Sequence, residues 1–289
     1  MRSVSVIGAG RLGTCLAAAL TQKGFRIKAL SCRTISSVRE SQKIIGQGKA
    51  STNNLLPAKE GQLIFICVPD DQIKKIAEEL VTYNINWEGK AVFHCSGLQP
   101  ASLLERLKKR GALTASFHPV QSFPRKIADA QQFEGIYCGL EGDSKALSLG
   151  EKIAAKLGAR VIFLKPQDKP VYHTACSLSS NLLIVLLNMA VSCLAKLNLQ
   201  EHEAISLLFP LLQRTIHNVK GFNIGPSLTG PAIRGDLITI KKHLEALSSF
   251  PQYQTIYSQL TLHALQIADQ EKKLSRDKIK ALTALLEGE

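Results

Sequence analysis

The chain has 289 residues, 45% of them hydrophobic, and a formal net charge of +13 at pH 7. This length suits one large domain or two ordinary ones. The basic residues are dispersed, without a zinc finger, an aromatic RNA-binding motif or a basic tail, so we expect no nucleic-acid partner. Seven scattered cysteines without CxxC spacing predict reduced thiols and no metal site. No signal peptide is recognisable, and we predict a cytoplasmic protein.

The first part of the chain alternates short apolar runs with helical patterns, which is typical of βαβ units and a mostly parallel sheet. The run "LIFICV" is apolar throughout, as expected of a central strand covered on both faces. We expect an irregular connection over residues 46–62 and a domain that ends at residue 165. The predicted strands are 3–7, 27–31, 63–68, 91–95, 113–117, 136–140 and 160–164, and the predicted helices include 12–23, 71–81, 101–109 and 144–156.

A glycine motif separates the first strand from the first helix. Gly8, Gly10 and Gly13 form the pattern GxGxxG, which is weak alone but strong in this strand–helix context. The first glycine permits a tight turn, the second lets backbone approach a pyrophosphate, and the third lets the helix pack close to the strand. The N–H groups of the helix start, at Arg11 and Leu12, then face the phosphates. The motif predicts a dinucleotide site.

The end of the second strand indicates which dinucleotide binds. An NAD site would place Asp or Glu about 20 residues after the motif to hold the ribose 2′-hydroxyl. This chain has "ALSCRT" there and no acid before Glu40. Arg33 can pair with a 2′-phosphate, and Ser31 and Thr34 can donate hydrogen bonds to it. We therefore predict NADPH, with the alternative that Arg33 only opens the next helix.

Three further strands end in residues that are candidates for ligand contact, because open α/β sheets bind ligands at the carboxyl ends of their strands. Val68 and Pro69 follow the third strand, and we predict that they border the cofactor. The backbone of Ser96 and Gly97, after the fourth strand, should approach the nicotinamide or the substrate. His118, at the end of the fifth strand, is either a substrate contact or a turn residue.

Strand signals stop after "FLKPQDKP", and we predict an all-helical domain over residues 166–289. Its most apolar segment, 181–197, is near the lower length limit for a membrane span and contains two asparagines, so we expect a buried core helix and no membrane partner. Residues 221–236, "GFNIGPSLTGPAIRGD", form an irregular connection of a length that is usually functional. The predicted helices are 170–197, 200–219, 238–248, 252–270 and 275–286.

The first of these helices carries a polar stripe. Lys169, His173, Ser177 and Asn181 follow one another at intervals of four residues, and the last three share one face of an otherwise apolar helix. Polar groups on such a helix are costly to bury without partners. They are therefore candidates to face the cofactor cleft; the alternative is a polar seam satisfied within the helical domain.

These motifs resemble those of a bacterial Rossmann-like family with a C-terminal helical domain of the 6-phosphogluconate dehydrogenase-like superfamily, which includes the PanG-type ketopantoate reductases. The resemblance covers essentially the whole chain. It implies an α/β Rossmann domain followed by an all-α domain, a homodimer built through the helical domain, and NADPH-dependent reduction of a small 2-keto acid. The first substrate it implies is 2-dehydropantoate (ketopantoate), a precursor of pantothenate. The motifs are "VIGAGRLG", "VPDD", "HCSG", "FHPVQSF", "YHTACSLSSN" and "LTGPAIRGD".

Keto-acid reduction requires a proton donor beside the hydride. His173 is our candidate donor, because an imidazole with a pKa near ~6.5 can release a proton at neutral pH. Lys169 is the alternative donor, and it would serve equally as an electrostatic stabiliser. The better-known ketopantoate reductases carry Lys-x-x-x-Asn on this helix, whereas this chain has His173 four residues after Lys169, so the identity of the donor stays open. Ser177 and Asn181 would orient the substrate.

The reaction also requires a cation for the substrate carboxylate. Arg234 could bind it bidentately with Asp236 fixing the guanidinium, or the two residues could form a structural ion pair. Two other functions stay open: reduction of another substrate, such as the cyclic imine pyrroline-5-carboxylate or a deazaflavin, and a non-enzymatic NADPH-binding regulator. The polar stripe argues against the regulator, because a sensor needs no proton donor there.

Overall fold

The computed structural model describes residues 3–288. It divides into two compact units, the first reaching to Leu182 and the second beginning at Leu183. The first unit is built on eight strands, which lie in the spatial order 3-2-1-4-5-6-7-8. In chain order they are β1 (Ser3–Ile7), β2 (Arg26–Ser31), β3 (Lys49–Ser51), β4 (Leu63–Ile66), β5 (Ala91–His94), β6 (Leu113–Pro119), β7 (Tyr137–Gly142) and β8 (Arg160–Phe163).

The sheet is mostly parallel, as predicted. Strands β1 to β6 follow the order of a doubly wound dinucleotide-binding fold. Only the β6–β7 pair is antiparallel, and β7 and β8 are parallel to each other. All four residues of β4 are buried, which confirms the prediction of a central strand covered on both faces.

Helices cover both faces of this sheet. Residues of α1, α2 and α6 pack into one apolar cluster, and residues of α3, α4 and α5 pack into a second. Phe65 and Phe93 stack in the centre of the sheet with their ring centroids 5.2 Å apart. The helices of the first unit are α1 (Arg11–Gln22), α2 (Ile35–Ile45), α3 (Leu55–Glu60), α4 (Asp70–Thr82), α5 (Glu105–Lys108), α6 (Ser144–Leu157) and α7 (Lys169–Ser179).

The prediction of an irregular connection over residues 46–62 is wrong, because this segment contains β3 and α3. Strand β3 has only three residues and pairs in parallel with β2 at the edge of the sheet. A strand of this length is too short to show an alternating pattern. Its position matters for the site, because the polar residues that follow it lie at the same edge as the glycine loop.

The second unit is all helical, which confirms the predicted fold class. Its core is a small apolar cluster contributed by the four C-terminal helices, and includes Ile240, Leu265 and Leu282. In chain order the remaining helices are α8 (Asn181–Ala195), α9 (Glu201–Phe222), α10 (Ile224–Ser227), α11 (Pro231–Arg234), α12 (Leu237–Ala246), α13 (Pro251–Gln270) and α14 (Arg276–Glu287).

Two predictions about the segment 170–197 are wrong. It is not one helix, because the backbone leaves the helical conformation at Ser180 (φ −128°, ψ −74°), between α7 and α8. Nor is 181–197 a buried core helix: no residue of α8 is buried, and Ile184 is 65% exposed. The core of the second unit comes from α11–α14 and leaves α8 uncovered. The stretch Pro166–Ala195 is long and apolar enough to cross a membrane, which alone is weak evidence for a span.

Candidate active site

The glycine loop has the close contacts that its motif predicts. Gly8 lies in the left-handed region with φ +89°, and a Cβ there would meet the Cys67 carbonyl oxygen at 2.6 Å. A Cβ on Gly13 would lie 2.3 Å from the Gly8 carbonyl oxygen, so only glycine lets α1 pack this close. Gly10 differs, because no atom lies within 4 Å of the position its Cβ would take. The loop is therefore tight where it packs and open where a phosphate would sit.

A groove of about 660 Å³ opens at this loop, and we call it the dinucleotide groove. It lies where the strand order reverses between β1 and β4, and α1, whose first N–H groups have no partner within the helix, begins directly after the loop. Its lining includes six of the predicted cofactor residues, namely Gly8, Gly10, Arg11, Arg33, Val68 and Pro69, together with residues that were not predicted. The lining is Ile7, Gly8, Gly10, Arg11, Cys32, Arg33, Thr52, Asn54, Cys67, Val68, Pro69, Asp71, Gln72 and Ile76.

The predicted 2′-phosphate residues differ in their availability. Arg33 is exposed and lines the groove. The Ser31 hydroxyl is buried and donates to Asn54 Oδ1 at 2.7 Å. Thr34 caps α2, since its Oγ1 accepts from Ser37 N at 3.3 Å. Arg33 and Thr34 are therefore exposed at this edge, and the Thr34 hydroxyl still has its proton to donate, whereas the Ser31 hydroxyl is engaged by Asn54.

Asn54 and Thr52 are groove residues that the sequence did not predict. Both follow β3, the strand that the sequence pattern missed. Besides accepting from Ser31, Asn54 donates from Nδ2 to Glu79 Oε2 at 2.9 Å. These two hydrogen bonds fix its side chain at the edge of the groove.

The turn after β5 positions Gly97 between two imidazoles. Ser96 Oγ donates to Asp70 Oδ2 at 2.7 Å and accepts from two backbone N–H groups of the following turn. A Cβ on Gly97 would lie 2.6 Å from His173 Cδ2 and 2.8 Å from His118 Cε1. Glycine is therefore required for both imidazoles to approach this backbone.

A second cavity, of about 670 Å³, lies at these imidazoles, and we call it the histidine pocket. It brings together His118 with three members of the predicted polar stripe. Arg11 lines this pocket as well as the dinucleotide groove, so the two cavities meet at one side chain. The full lining is Arg11, His118, Val120, Gln121, Ser122, Phe123, Pro124, His173, Cys176, Ser177, Ser179, Ser180 and Asn181.

His118 is held in one orientation and is neutral near pH 7. Its Nδ1 lies 2.8 Å from Tyr172 Oη, and its ring centroid lies 5.9 Å from that of His173. Burial, with His173 and Lys169 adding to it, lowers the pKa of His118 to about 4. Burial also raises the pKa of Tyr172, so the phenol keeps its proton and can donate to Nδ1. With the phenol donating to Nδ1, the proton of neutral His118 would lie on Nε2, beside Gly97.

Lys169, the fourth member of the stripe, is not among the residues that line the pocket. It is fully buried, and its Nζ donates to the Ser96 carbonyl at 3.3 Å and to Ser116 Oγ at 2.8 Å. Burial lowers the pKa of Lys169, while Glu141 and Asp70 oppose that shift. These bonds tie α7 to the ends of β5 and β6. The first compact unit accordingly includes α7 and reaches to Leu182, and the predicted domain boundary at 165/166 stays a prediction.

His94 is a buried residue near the site that the sequence did not single out. Its Nδ1 accepts from Ser96 N at 3.3 Å, and burial lowers its pKa to about 3. It therefore supports the same turn from within the sheet. The motif "HCSG" contains it, but nothing in the sequence distinguishes a buried strand histidine from one at a strand end.

Arg234 and Asp236 lie in the second unit. Asp236 caps α12, with Oδ1 accepting from Thr239 N at 3.0 Å and Oδ2 from Thr239 Oγ1 at 2.7 Å. Within residues 3–288, no ion pair of 4.0 Å or less joins Asp236 to Arg234. Arg234 is exposed. Its role as a carboxylate clamp stays a prediction.

Two family models match separate parts of the chain. Residues 1–119 match a Rossmann-like domain, and residues 136–264 match a family described as a domain of unknown function, DUF2520. None of the curated proteins matches the chain. The second match begins within the α/β part of the chain, since residues 136–264 include β7, α6 and β8 as well as helices of the second unit.

Several solved structures are similar over nearly the whole chain. One, named as a candidate NADP oxidoreductase from Bacteroides fragilis, has 25% identity, covers 92% of this chain and 98% of its own, and has a TM-score of 0.78. A protein from Thermotoga maritima has 27% identity, covers 93% and 99%, and has a TM-score of 0.70. A pyrroline-5-carboxylate reductase from Coxiella burnetii, at 16% identity, 95% and 99% coverage and TM-score 0.57, shares the fold. The chain thus has a segment similar to Rossmann-like domains followed by a segment similar to DUF2520 domains, and a candidate NADP oxidoreductase is among its structural neighbours.

Proposed function

We propose that the protein is an NADPH-dependent reductase of a small 2-keto acid, with ketopantoate as the first substrate to test. The observation that carries the proposal is that the dinucleotide groove and the histidine pocket meet at Arg11. A cofactor site and a pocket with groups able to hydrogen-bond or protonate a carbonyl oxygen are the two parts such an enzyme requires.

The cofactor is held by the first unit in this proposal. The glycine loop and the N-terminus of α1 bind the pyrophosphate, since Gly10 leaves the space that a phosphate would fill. The Arg33 guanidinium pairs with the 2′-phosphate that distinguishes NADPH from NADH. NADPH, when bound, supplies the hydride. The NADP oxidoreductase name of the Bacteroides fragilis neighbour supports this cofactor.

The proton comes from His173. His118 is unsuited to that role near pH 7, because its pKa is lowered to about 4 and it is neutral there. Its Nε2–H instead donates a hydrogen bond to the substrate carbonyl oxygen and orients it. Ser177 and Asn181, at the same pocket, hydrogen-bond the rest of the substrate. Lys169 acts as a positioning residue, because its Nζ is occupied by the Ser96 carbonyl and Ser116.

The test follows NADPH absorbance at 340 nm with a panel of 2-keto acids, cyclic imines and a deazaflavin. We expect turnover with a keto acid, fastest with ketopantoate. His173→Ala should lower kcat by about 10²–10⁴-fold, the usual contribution of a general acid. Thr174→Ala, at an exposed neighbouring position of α7, is the matched control. Full turnover by His173→Ala would refute the donor, and tight NADPH binding without turnover of any substrate would favour a regulator.

We also propose that the protein is a homodimer through its helical part. Many large apolar side chains are exposed along α8 and α9, and apolar surface of this kind marks interaction sites on soluble proteins. Light scattering in detergent-free buffer should give twice the chain mass, and Ile184→Glu should give monomers. A protein that is monomeric in that buffer, or that requires detergent, would contradict the proposal. The side chains are Leu182, Ile184, Val185, Leu186, Ile205, Leu207, Phe209, Leu211, Ile216, Val219 and Phe222.

A further inference from the structure

The charge in the histidine pocket is unevenly distributed. Its lining contains the Arg11 guanidinium and no carboxylate; the other polar groups are those of histidine, glutamine, serine, asparagine and cysteine. Since the pKa of His118 is lowered to about 4, that imidazole adds no charge near pH 7. Lys169 is close by but fully buried and occupied by Ser96 and Ser116. Arg11 is therefore the permanent positive charge that a ligand in this pocket would meet.

Arg11 is available to such a ligand. It is exposed, and among residues 3–288 no ion pair of 4.0 Å or less includes it. It is also the first residue of α1, a helix whose first turn has no acidic residue. A cation at a helix N-terminus opposes the helix dipole, so this position is electrostatically unfavourable unless an anion is bound there.

Two anions could use this charge: the cofactor pyrophosphate and a substrate carboxylate. The pyrophosphate already has the backbone N–H groups and the dipole of α1, which together form an anion site without any side chain. The histidine pocket includes Ser180 and Asn181 at the start of α8, where N–H groups also favour an anion, and Arg11 lines the same pocket as a side-chain cation. The planar guanidinium matches a carboxylate in a bidentate arrangement.

From this geometry we propose that Arg11 binds the carboxylate of the substrate, so that the substrate class is a small 2-oxo acid anchored at Arg11 with its carbonyl toward His118 and His173. The proposal rests on the proposed reductase function and assigns to Arg11 the role that the sequence suggested for Arg234. It makes Arg11 the residue that selects an acid over a neutral analogue.

The test compares a 2-oxo acid with its primary amide in wild type, Arg11→Met and Arg11→Lys, and measures the NADPH Kd of each by calorimetry. A lost charge-assisted pair should raise the KM of the acid about 10–100-fold in Arg11→Met, with the amide nearly unchanged. The NADPH Kd should change less than about threefold, and Arg11→Lys should recover part of the acid preference. Arg234→Met removes the other candidate for the carboxylate clamp and should keep the preference.

Two outcomes of that comparison would overturn the proposal. One is a weakened NADPH Kd in Arg11→Met with the acid preference intact, which would assign the guanidinium to the cofactor phosphates. The other is loss of the preference in Arg234→Met instead. If the wild type reduces no keto acid, the reductase function fails. Binding of oxamate, an unreactive analogue of a 2-oxo acid, to the NADP⁺ complex then tests Arg11 separately. If the wild type binds oxamate and Arg11→Met does not, Arg11 is the carboxylate site; if the two proteins bind oxamate equally, or neither binds it, Arg11 is not.

Discussion

Replacing Gly10 and Gly13 separately by alanine should have opposite consequences, because the two glycines are required for different reasons. The Cβ of Gly13→Ala would lie 2.3 Å from the Gly8 carbonyl oxygen, 3.1 Å from a Val6 methyl group and 3.2 Å from Cys67 Cβ. Backbone cannot move aside as a side chain can. We therefore expect the free energy of unfolding to fall by about 3 kcal/mol, at the upper end of the usual cost of overpacking.

Gly10→Ala should leave the fold intact and weaken cofactor binding. The backbone of Gly10 (φ −80°, ψ −154°) is extended, and no atom lies within 4 Å of its Cβ position. Alanine reduces the conformational freedom of the unfolded chain, which stabilises the protein, but it is a poorer helix cap than glycine, which destabilises it. These two effects should nearly cancel, so we expect the free energy of unfolding to change by less than ~1 kcal/mol. The methyl group would occupy the space of the pyrophosphate, so we expect the NADPH Kd to rise about 30-fold, or ~2 kcal/mol.

Urea unfolding and calorimetric titration with NADPH measure these two effects on the same variants. The expected pattern is a stable Gly10→Ala that binds NADPH poorly and a destabilised Gly13→Ala. A Gly10→Ala protein that binds NADPH as well as the wild type would refute the pyrophosphate site. A Gly13→Ala protein as stable as the wild type would refute the packing argument.

Three further predictions concern single groups at the site. Arg33→Ala should raise the NADPH Kd about 10–100-fold and leave the NADH Kd unchanged, and calorimetry with both cofactors checks it. In the folded protein the pKa of His94 is about 3 and that of His118 is about 4, both below the ordinary 6.5. The contribution of these neutral imidazoles to the free energy of unfolding is therefore complete above pH 6.5 and is lost as pH falls toward the folded pKa values. Urea unfolding from pH 7 to 5 should show a loss of up to ~1.4 kcal/mol per pH unit for each histidine, with a shallower slope in His94→Asn. Lys169→Met should lower the free energy of unfolding by ~1–3 kcal/mol, because two buried acceptors lose their donor; an unchanged urea midpoint would contradict this.

Local patterns in the sequence were enough for most of the first unit. Seven of the eight strands and the glycine loop follow from apolar runs and from a motif whose spacing has a steric reason. The three-residue β3 carries no such pattern, so Thr52 and Asn54 could not be predicted as groove residues. An edge strand depends on pairing with β2, which the sequence does not reveal.

The histidine pocket and the exposure of α8 depend on contacts between distant parts of the chain. The hydrogen bond between His118 and Tyr172 joins residues 54 positions apart, and no periodicity reports it. The polar stripe was predicted from helical spacing, yet Lys169 lies buried while His173 lines the pocket. An apolar segment such as α8 has the same pattern whether its own chain or a second molecule covers it.

In the proposed function, the protein binds NADPH in the dinucleotide groove and reduces a keto acid held in the histidine pocket. The most direct measurement mixes the purified protein with NADPH and ketopantoate and follows absorbance at 340 nm, beside the His173→Ala variant. We predict loss of absorbance in the wild type with one NADPH consumed for each pantoate formed, and a loss at least about 10²-fold slower in the variant. Absorbance that stays constant with ketopantoate and every other 2-keto acid, in a protein that binds NADPH, would contradict the claim.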